Sequence, residues 1–496
     1  MDQAQTRVQA QIGRPPDPVE LEKWYEEHNL VPDKDGIFTS MPYEKGPVDR
    51  SVILEQVSQN ALRHEVPNLT PREYTPKVMV YVGGGPSLKK HLSEIRKKCE
   101  DPNYDVVTSN TTAKYLLEKG IKPDYHLILD PTERKKKDIE YDENVELYLG
   151  LQCHPSLFDY AREKGRKVYK FLAASVKGED GKSDKDMALA ACTQNDPMLL
   201  GIGGGSMCGT RMIYFAPMRG YRKLEYYGFD GSIEYENNVI RCYAYNKPRG
   251  ENILWHTEDF SGRTFATTMT LARQAEELVQ LMDCMPGLRV EIFGDGLLAD
   301  RLNSYRQLRK PADYRITPEY REMQRGMHAN DKVRYGIAGE QNACRVFMAG
   351  AQIHRRFGSC RVLDYGCGPG TLLRAVDRAF PSIPGLTYHE YDPCIPGKDS
   401  EPEPADVVYC GDVMEHVETE CIEPVIQHIH SLTKHIAIFI ISLRPAGKTL
   451  PDGRNAHINV RAQDWWLSWL RKYFIVIEDS VDPIRRELTT VVKKLP

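Results

Sequence analysis

Four side chains that can carry or transfer a proton occur in the last fifth of the sequence. Asp412, Glu415 and His416 directly follow the apolar run "VVYCG", and His457 lies in the segment "PDGRNAHINV". Imidazole titrates near neutral pH, so His416 and His457 are candidate catalytic bases, with Glu415 as a carboxylate beside them. The alternative interpretation is structural: His416 orders a loop and His457 caps a turn.

A loop rich in glycine precedes this group, in "RVLDYGCGPGTLLRAV". An apolar strand ends at Asp364, and Gly366, Gly368 and Gly370 follow before a helical pattern. Glycine lets the backbone turn tightly and lets a ligand lie against it, while the next helix offers unpaired N–H groups. The pattern predicts a cofactor-binding loop, with a plain strand-to-helix connection as the alternative. Dinucleotide fingerprints are spaced GxGxxG, which disfavours a dehydrogenase.

Two further strands end in acidic residues. The strand in "GLTYHEYDP" ends at Asp392, 28 residues after Asp364, where a doubly wound fold places a carboxylate that accepts the ribose hydroxyls. The strand from Asp406 to Cys410 leads to Asp412. Because ligands bind outside the carboxyl ends of strands in open α/β sheets, the three strand ends predict one crevice.

Residues 336–496 resemble the class I S-adenosylmethionine-dependent methyltransferases, whose glycine motif appears as "DYGCGPG" and whose "DVLEH" segment appears as "DVMEH". The resemblance implies S-adenosylmethionine as cofactor, with Gly366 and Gly368 under its methionine part and Asp392 on its ribose. The predicted cofactor-binding residues are Asp364, Gly366, Gly368, Gly370, Asp392 and Asp412. Only thirteen residues separate Asp392 from Asp406, where the family commonly fits a further strand and an adenine contact. Either that strand is lost or the loop covers adenine directly.

Two more glycine loops occur in the first half, in "VYVGGGPSL" and "LLGIGGGSMCGT". In the first, Ser87 is placed to cap the next helix, and the N–H groups of Gly83 to Gly85 are expected to be open to an anion such as phosphate. The GK[ST] of a P-loop is missing, which disfavours an ordinary ATPase.

These loops, with "TSNTTAKYLLEKGIKPDYHLILDP" between them, look like the domain shared by 6-hydroxymethylpterin diphosphokinase-like proteins and motility accessory factors, the flagellin glycosyltransferases. The Gly-Pro-Ser-Leu segment is also similar to bacterial sialyltransferases that use CMP-sugars. The resemblance spans roughly residues 76–300 and implies a nucleotide, CMP-sugar or ATP with Mg²⁺, and transfer of a sugar or a pyrophosphate. It implies nucleotide binding by Gly84, Gly85, Ser87, Asn110, Gly204, Ser206 and Asp230, with Asp130 as a catalytic residue or magnesium ligand.

The elements that position these residues alternate between short apolar runs and helical patterns, which is typical of βαβ units. The sequence predicts an α/β protein with two tandem Rossmann-like doubly wound domains. Its parts are an N-terminal extension at 1–75, a nucleotide-binding transferase domain at 76–303, a polar linker at 304–335 and a methyltransferase domain at 336–496.

Composition limits the class of protein. The 496 residues carry a formal charge of -4, with 27% charged and 41% hydrophobic residues, as in soluble globular proteins. We predict no membrane span and a cytoplasmic location, because no apolar run is long enough to span and no signal peptide is evident. The twelve cysteines form no CxxC pair and are expected to be reduced.

The predicted function is that of a bifunctional transferase that acts on a glycan or another small polar conjugate. One alternative is modification of nucleobases or nucleic acid, with Trp465, Trp466 and "ERKKKD" contacting a strand; the net charge counts against it. Trp465 and Trp466 are otherwise expected in the core and a lid. The other alternative is a methyltransferase with a non-catalytic module that binds nucleotide or acceptor.

Overall fold

The computed structural model describes most of the chain from residue 48 onward. The described residues are 48–140, 145–173, 201–205, 207–236, 239–241, 243–244, 256–309, 311–329, 335–336 and 338–495. They form two compact units, which meet the prediction of two tandem α/β domains. The N-terminal unit ends at Leu308, and the C-terminal unit comprises residues 285–287 and the chain from Arg309.

Eight parallel strands form the central sheet of the N-terminal unit. The strands of this unit are β1 (Val78–Val82), β2 (Tyr104–Ser109), β3 (Tyr125–Ile128), β4 (Glu146–Gly150), β5 (Val168–Ala173), β6 (Gly201–Ile202), β7 (Lys223–Tyr227), β8 (Glu234–Glu236), β9 (Val239–Arg241), β10 (His256–Phe260), β11 (Arg263–Thr267) and β12 (Arg289–Phe293). The sheet order is β12-β7-β1-β2-β3-β4-β5-β6, and β8 with β9 and β10 with β11 form antiparallel pairs. After β1 the chain continues to β2 on one side of it, and the later strand β7 pairs with β1 on the other side. A ligand crevice is therefore expected at the carboxyl ends of β1 and β7, where the strand order reverses.

Helices cover both faces of this sheet. They are α1 (Arg50–Ala61), α2 (Leu92–Glu100), α3 (Thr112–Glu118), α4 (Pro155–Glu163), α5 (Cys208–Met218), α6 (Met269–Cys284) and α7 (Leu297–Leu308). Val80 and Tyr81 of β1 point to opposite faces and are both buried. Burial on two faces explains why the strand sequences are continuous apolar runs instead of alternating ones.

The N-terminal unit begins earlier than predicted, because α1 is part of it. Val57 of α1 packs against Leu151 and Leu172. The Asn60 side chain donates a hydrogen bond to the Leu151 carbonyl oxygen at 2.9 Å. The described end of the predicted extension 1–75 therefore belongs to the domain, and residues 1–47 lie outside the described part of the chain.

The C-terminal unit has a six-stranded sheet. Its strands are β13 (Cys360–Tyr365), β14 (Leu386–Tyr391), β15 (Ala405–Gly411), β16 (Thr433–Ser442), β17 (Phe474–Asp482) and β18 (Glu487–Lys494), and its helices are α8 (Pro318–Ala329), α9 (Ala343–Phe357), α10 (Thr371–Ala379), α11 (Ile422–Leu432) and α12 (Gln463–Tyr473). In the order β14-β13-β15-β16-β18-β17, β18 runs antiparallel to both of its neighbours and the other pairs are parallel. No helix in the described part of either unit is long and apolar enough to cross a membrane.

The stretch between β14 and β15 contains turns and irregular backbone but no strand, and it is described throughout. The Asp392 N–H donates to the Lys398 carbonyl oxygen at 2.9 Å, which closes this segment into a compact loop. The first of the two alternatives for this segment is therefore found: the additional strand is lost, and β14 is the edge of the sheet.

The segment 304–335 differs from the predicted linker. It contains the end of α7 and the whole of a packed helix, α8. Tyr320 and Met327 of α8 are buried against Leu450 and Ala456. The segment was predicted as a linker because most of its side chains are polar, yet the few apolar ones share one helix face and attach α8 to the C-terminal unit.

Candidate active site

A cavity of about 610 Å³ opens at the carboxyl ends of β13, β14 and β15. Gly366, Asp392 and Asp412 line it, and each follows a different one of these strands. The three strand ends that were predicted from the sequence to form one crevice thus lie together in the structure. Other lining residues come from α8 and from the loop between β16 and α12; among them are Tyr320, Gln324, His328, Arg444, Lys448 and His457.

The backbone of the glycine loop after β13 packs closely against the loop after β15. Gly366 has a left-handed backbone (φ 77°), and a Cβ atom there would overlap the side chain of Val413. Its N–H donates to the Tyr391 carbonyl oxygen at 2.7 Å. Gly366 lines the cavity, whereas Gly370 begins α10 and faces Glu390. Glycine at Gly366 is therefore required by both backbone conformation and space.

Asp392 connects the glycine loop to the end of β14. Its two carboxylate oxygens accept hydrogen bonds from the N–H groups of Gly368 at 2.9 Å and Cys394 at 2.8 Å. The side chain is 5% exposed and lies in the cavity wall. Because each carboxylate oxygen has two lone pairs, Asp392 retains capacity to accept a ligand hydroxyl.

Asp364 is buried beneath the glycine loop and is not part of the cavity wall. Burial raises the pKa of Asp364 to about 8, and the negative charge of Glu390 adds to the effect. The carboxyl group is therefore mostly protonated at pH 7, and a cationic ligand placed near it would favour the ionised form.

His416 and His457 both line the cavity. Burial lowers the pKa of His416 to about 3, with the nearby His457 as the second cause, and burial also lowers the pKa of His457. The Nδ1 atom of His416 lies 2.7 Å from the Ala456 carbonyl oxygen, and that of His457 lies 2.7 Å from the Arg444 carbonyl oxygen. Since a carbonyl oxygen can only accept, the geometry assigns the ring proton to Nδ1 and leaves Nε2 with a lone pair. Their role as bases stays a prediction.

Asp412 and Glu415 are neighbouring carboxyl groups close to the two imidazole rings. Asp412 adopts φ 52°, and its N–H donates to the Ile440 carbonyl oxygen at 2.9 Å. Glu415 is fully buried; its Oε1 atom accepts from the Ser442 N–H at 2.9 Å, while Oε2 has no hydrogen-bond partner. Burial raises the pKa of both carboxyls, and Asp412 raises that of Glu415 further.

The contribution of α8 to this cavity was not predicted from the sequence. Tyr320, Gln324 and His328 are spaced four residues apart and line the cavity from one helix face. Tyr335, just beyond α8, places its hydroxyl 3.0 Å from the Nδ1 atom of His416. The four-residue spacing was the available signal, and it was masked by the polarity of the segment.

In the N-terminal unit, the first glycine loop contacts the loop after β7. The Gly85 N–H donates to the Gly228 carbonyl oxygen at 2.7 Å, and the Ser87 N–H donates to the Asp230 carboxylate at 3.0 Å. The expectation that the N–H groups of Gly83 to Gly85 are open to an anion is therefore wrong for Gly85, and also for Gly83, whose N–H donates to the Tyr227 carbonyl oxygen at 2.8 Å. The Ser87 N–H group is occupied as well. Ser87 lies in a short 3-10 helix before α2 and does not cap α2. Burial raises the pKa of Asp230.

The second glycine loop leads into α5 and approaches the same place. Gly204 has φ 136°, and a Cβ atom there would lie 2.7 Å from the Arg211 Cα atom. Gly209, in the first turn of α5, packs directly on the Phe229 ring, next to Asp230. Of the other predicted residues, Ser206 lies outside the described part of the chain. The two loops thus meet beside the end of β7.

Asn110, Asp130 and Gly84 complete the predicted nucleotide site. Asn110 follows β2 with φ 50°, and its buried Oδ1 atom has no hydrogen-bond partner. Asp130 follows β3; one oxygen accepts from the Thr132 N–H at 2.9 Å, and the other lies 3.8 Å from the Lys135 ammonium. The Gly84 carbonyl oxygen accepts a backbone N–H. A magnesium ion at Asp130 would compete with Lys135, and this role stays a prediction.

Comparison with known proteins identifies both parts of the chain. Residues 51–234 match the family model described as 6-hydroxymethylpterin diphosphokinase MptE-like, and residues 328–480 match a model described as a methyltransferase domain. No curated protein matches the sequence. The chain therefore joins an MptE-like domain to a methyltransferase domain.

Several solved structures resemble parts of the chain. A Burkholderia thailandensis 1,6-didemethyltoxoflavin-N1-methyltransferase is 17% identical, with 38% of this chain and 94% of that chain covered and a TM-score of 0.27. A MAf glycosyltransferase from Magnetospirillum magneticum AMB-1 is 12% identical, with 51% and 41% covered and a TM-score of 0.33. The magnesium protoporphyrin IX methyltransferase of Synechocystis PCC 6803 is 17% identical, with 35% and 93% covered and a TM-score of 0.25.

Proposed function

We propose that the methyltransferase domain transfers the methyl group of S-adenosylmethionine to an oxygen or nitrogen atom of a small polar acceptor. The observation that carries the proposal is that Gly366, Asp392 and Asp412 line one cavity from three strand ends. Its volume of about 610 Å³ lies in the usual range for small-molecule sites. Charged and amide side chains in its wall, such as Gln324 and Lys448, suit a polar acceptor.

The reaction we propose is an in-line displacement at the methyl carbon. The acceptor atom forms a new bond to the methyl carbon and loses its proton to water, while the bond to sulfur breaks and its electron pair stays on sulfur to give S-adenosylhomocysteine. Holding acceptor and methyl group in line supplies several kcal/mol of the barrier reduction. Asp392 and the glycine loop orient the cofactor in this scheme, and the α8 face orients the acceptor.

Replacing Asp392 tests the cofactor site. Asp392→Ala is expected to weaken S-adenosylhomocysteine binding to the full chain at least tenfold, about 1.4 kcal/mol, because a ribose acceptor and the Gly368 contact are both lost. Asp399→Ala is the matched control, since Asp399 is exposed in the same loop and bonds only to the Gly397 N–H. Isothermal titration calorimetry measures both. Equal affinity in the two variants would remove Asp392 from the site.

We propose that the MptE-like domain binds a nucleotide, as a CMP-sugar or as ATP with Mg²⁺, and transfers a sugar or a pyrophosphate to the same glycan or small polar conjugate that is methylated. The strongest support is Asn110, whose left-handed backbone and unpaired buried Oδ1 atom lie at the carboxyl end of β2. Strain of this kind is concentrated at functional sites. The occupied N–H groups of Gly85 and Ser87 favour a second candidate, a module that binds without catalysis.

The two candidates for the MptE-like domain are separated by nucleotide titration and one substitution. We expect one of CMP, UDP, GDP and ATP, each with Mg²⁺, to raise the unfolding temperature of the full chain, because a ligand at 100 times its dissociation constant adds about 2.7 kcal/mol. Asn110→Ala should abolish this rise. Asp130→Asn should keep the rise but lose product if the domain is catalytic, whereas unchanged product would favour the binding module. No rise with any nucleotide would contradict nucleotide binding by this domain and would leave only a module that binds the acceptor.

A further inference from the structure

Glu415, His416 and His457 form a compact group beside the cavity, which the two histidines line. One ligand-type atom from each of the three lies within 4.8 Å of the others. Ligand atoms bonded to one ion at about 2.1 Å with tetrahedral angles are about 3.4 Å apart, so an ion requires the three side chains to approach one another by up to about 1.4 Å. In the described part of the chain, this is the group of three or more histidine, cysteine or carboxylate side chains whose ligand atoms lie this close together.

The two imidazoles are already oriented as ligands. Each donates its Nδ1 proton to a backbone carbonyl oxygen, His416 to Ala456 and His457 to Arg444, both at 2.7 Å. Metal-binding histidines characteristically make such a hydrogen bond through the nitrogen that does not bind the ion, which fixes the tautomer and the ring orientation. The ring planes are 86° apart with centroids at 4.8 Å, so the rings are not stacked on each other.

The third member of the group is a buried carboxyl beside a second carboxyl. Glu415 is fully buried; its Oε1 atom accepts a hydrogen bond from the Ser442 N–H, its Oε2 atom accepts none from an N–H group, and its side chain interacts with that of Asp412. Two adjacent buried carboxyls are costly to ionise together, and a nearby cation offsets that cost. The Glu415 carbonyl oxygen also accepts the Asn459 N–H at 3.0 Å, which ties this residue to the loop that carries His457.

From this geometry we propose that Glu415, His416 and His457 bind a divalent transition metal ion, such as Zn²⁺, Mn²⁺ or Fe²⁺, at the wall of the methyltransferase cavity. Two nitrogens and one carboxylate oxygen suit these ions better than Mg²⁺ or Ca²⁺, which prefer oxygen. Asp412 lies beside Glu415 and faces the cavity, where it can bind a water on the ion.

The ion gives the site a way to activate an acceptor hydroxyl, an inference that rests on the proposed methyl transfer. Three protein ligands leave coordination positions free on the cavity side. A hydroxyl bound there loses its proton more readily, as a metal-bound water does, and the proton passes to water in the cavity. The resulting oxygen attacks the methyl carbon while the electron pair of the broken bond stays on sulfur. An acceptor with two adjacent oxygens, such as a sugar diol, can occupy two of these positions.

Cobalt titration of the full chain tests the site. After removal of metals with a chelator, the chain is expected to bind one Co²⁺ ion with the visible absorption of a nitrogen and oxygen ligand set. Glu415→Gln and His457→Asn should each weaken Co²⁺ binding at least tenfold. His457→Asn is included because this side chain is only partly buried and its replacement leaves the core intact. His354→Asn is the matched control, since His354 lies on α9 outside the cavity and its ring contacts a backbone carbonyl oxygen.

S-adenosylhomocysteine titration of the same samples separates the two proposals. The expected result is cofactor affinity within twofold of the unaltered chain in Glu415→Gln and His457→Asn, together with loss of Co²⁺. Failure of the unaltered chain to bind Co²⁺, or Co²⁺ binding by His457→Asn equal to that of His354→Asn, would overturn the metal site while leaving the methyltransferase proposal in place. Absence of S-adenosylhomocysteine binding by the unaltered chain would instead remove the proposed function.

Discussion

Gly366→Ala is expected to weaken S-adenosylhomocysteine binding at least 100-fold, about 2.7 kcal/mol. Two costs combine at this position. The left-handed backbone (φ 77°) costs roughly 1–2 kcal/mol for a residue with a Cβ atom, and that Cβ atom would overlap the Val413 side chain. Relief requires the loop to move, which also displaces the Gly366 N–H from the Tyr391 carbonyl oxygen. Calorimetric titration of the full chain measures the change.

Two further variants separate these costs. Gly358→Ala introduces a Cβ atom at a similar backbone angle (φ 83°) with no atom within 4 Å, so it should lower stability by about 1 kcal/mol and leave cofactor affinity unchanged. The double variant Gly366→Ala, Val413→Ala removes the overlap and should recover at least tenfold in affinity. Normal binding by Gly366→Ala alone would show that the glycine loop does not hold the cofactor.

The cavity at the carboxyl ends of β13, β14 and β15 could be predicted from sequence because its determinants are local. Gly366, Asp392 and Asp412 each stand directly after an apolar strand, and parallel strands in one sheet end at one edge. The same logic predicted the loss of a strand between Asp392 and Asp406 as one of two alternatives, since a short connection leaves little room for another strand and helix. No long-range information was needed for either inference.

The packing of the first glycine loop in the N-terminal unit was predicted less well, because the residues that contact it are distant in sequence. The N–H group of Ser87 is occupied by Asp230, which lies 143 residues away. The sequence of a glycine loop is the same whether its N–H groups bind a phosphate or one of the protein's own carboxylates. The exposed or occupied state of the N–H groups is therefore set by tertiary packing, which residue spacing does not reveal.

The two histidines show a similar limit. Their residue types were visible, and so was their position near a strand end and a turn. Their hydrogen bonds to the carbonyl oxygens of Ala456 and Arg444, and the unpaired oxygen of Glu415, depend on how the loop after β16 folds back over the site. The hydrogen bond between the His416 Nδ1 atom and the Ala456 carbonyl oxygen fits the interpretation that His416 orders a loop, and its role as a base stays a prediction.

Trp466→Ala is expected to destabilise the C-terminal unit by about 3–5 kcal/mol. The Trp466 side chain is fully buried and belongs to the main core, where it packs with residues such as Phe439, Leu470 and Phe474. Burial in the core removes its ring from any stacking platform for bases, which disfavours the nucleic-acid alternative. Hydrogen exchange of the β13 and β16 amides measures the free energy of opening of this unit.

Trp466→Phe should cost less than Trp466→Ala, because most of the ring volume remains and the buried Nε1–H group, which has no hydrogen-bond partner, is removed. Trp465→Ala is the neighbouring control and should cost the least, since that ring is only partly buried. None of the three variants should change affinity for a single-stranded oligonucleotide at low salt. A drop in that affinity in Trp465→Ala with unchanged stability would restore nucleic acid as the substrate, because a solvent-facing aromatic ring that binds bases contributes about 1–3 kcal/mol to binding and little to folding.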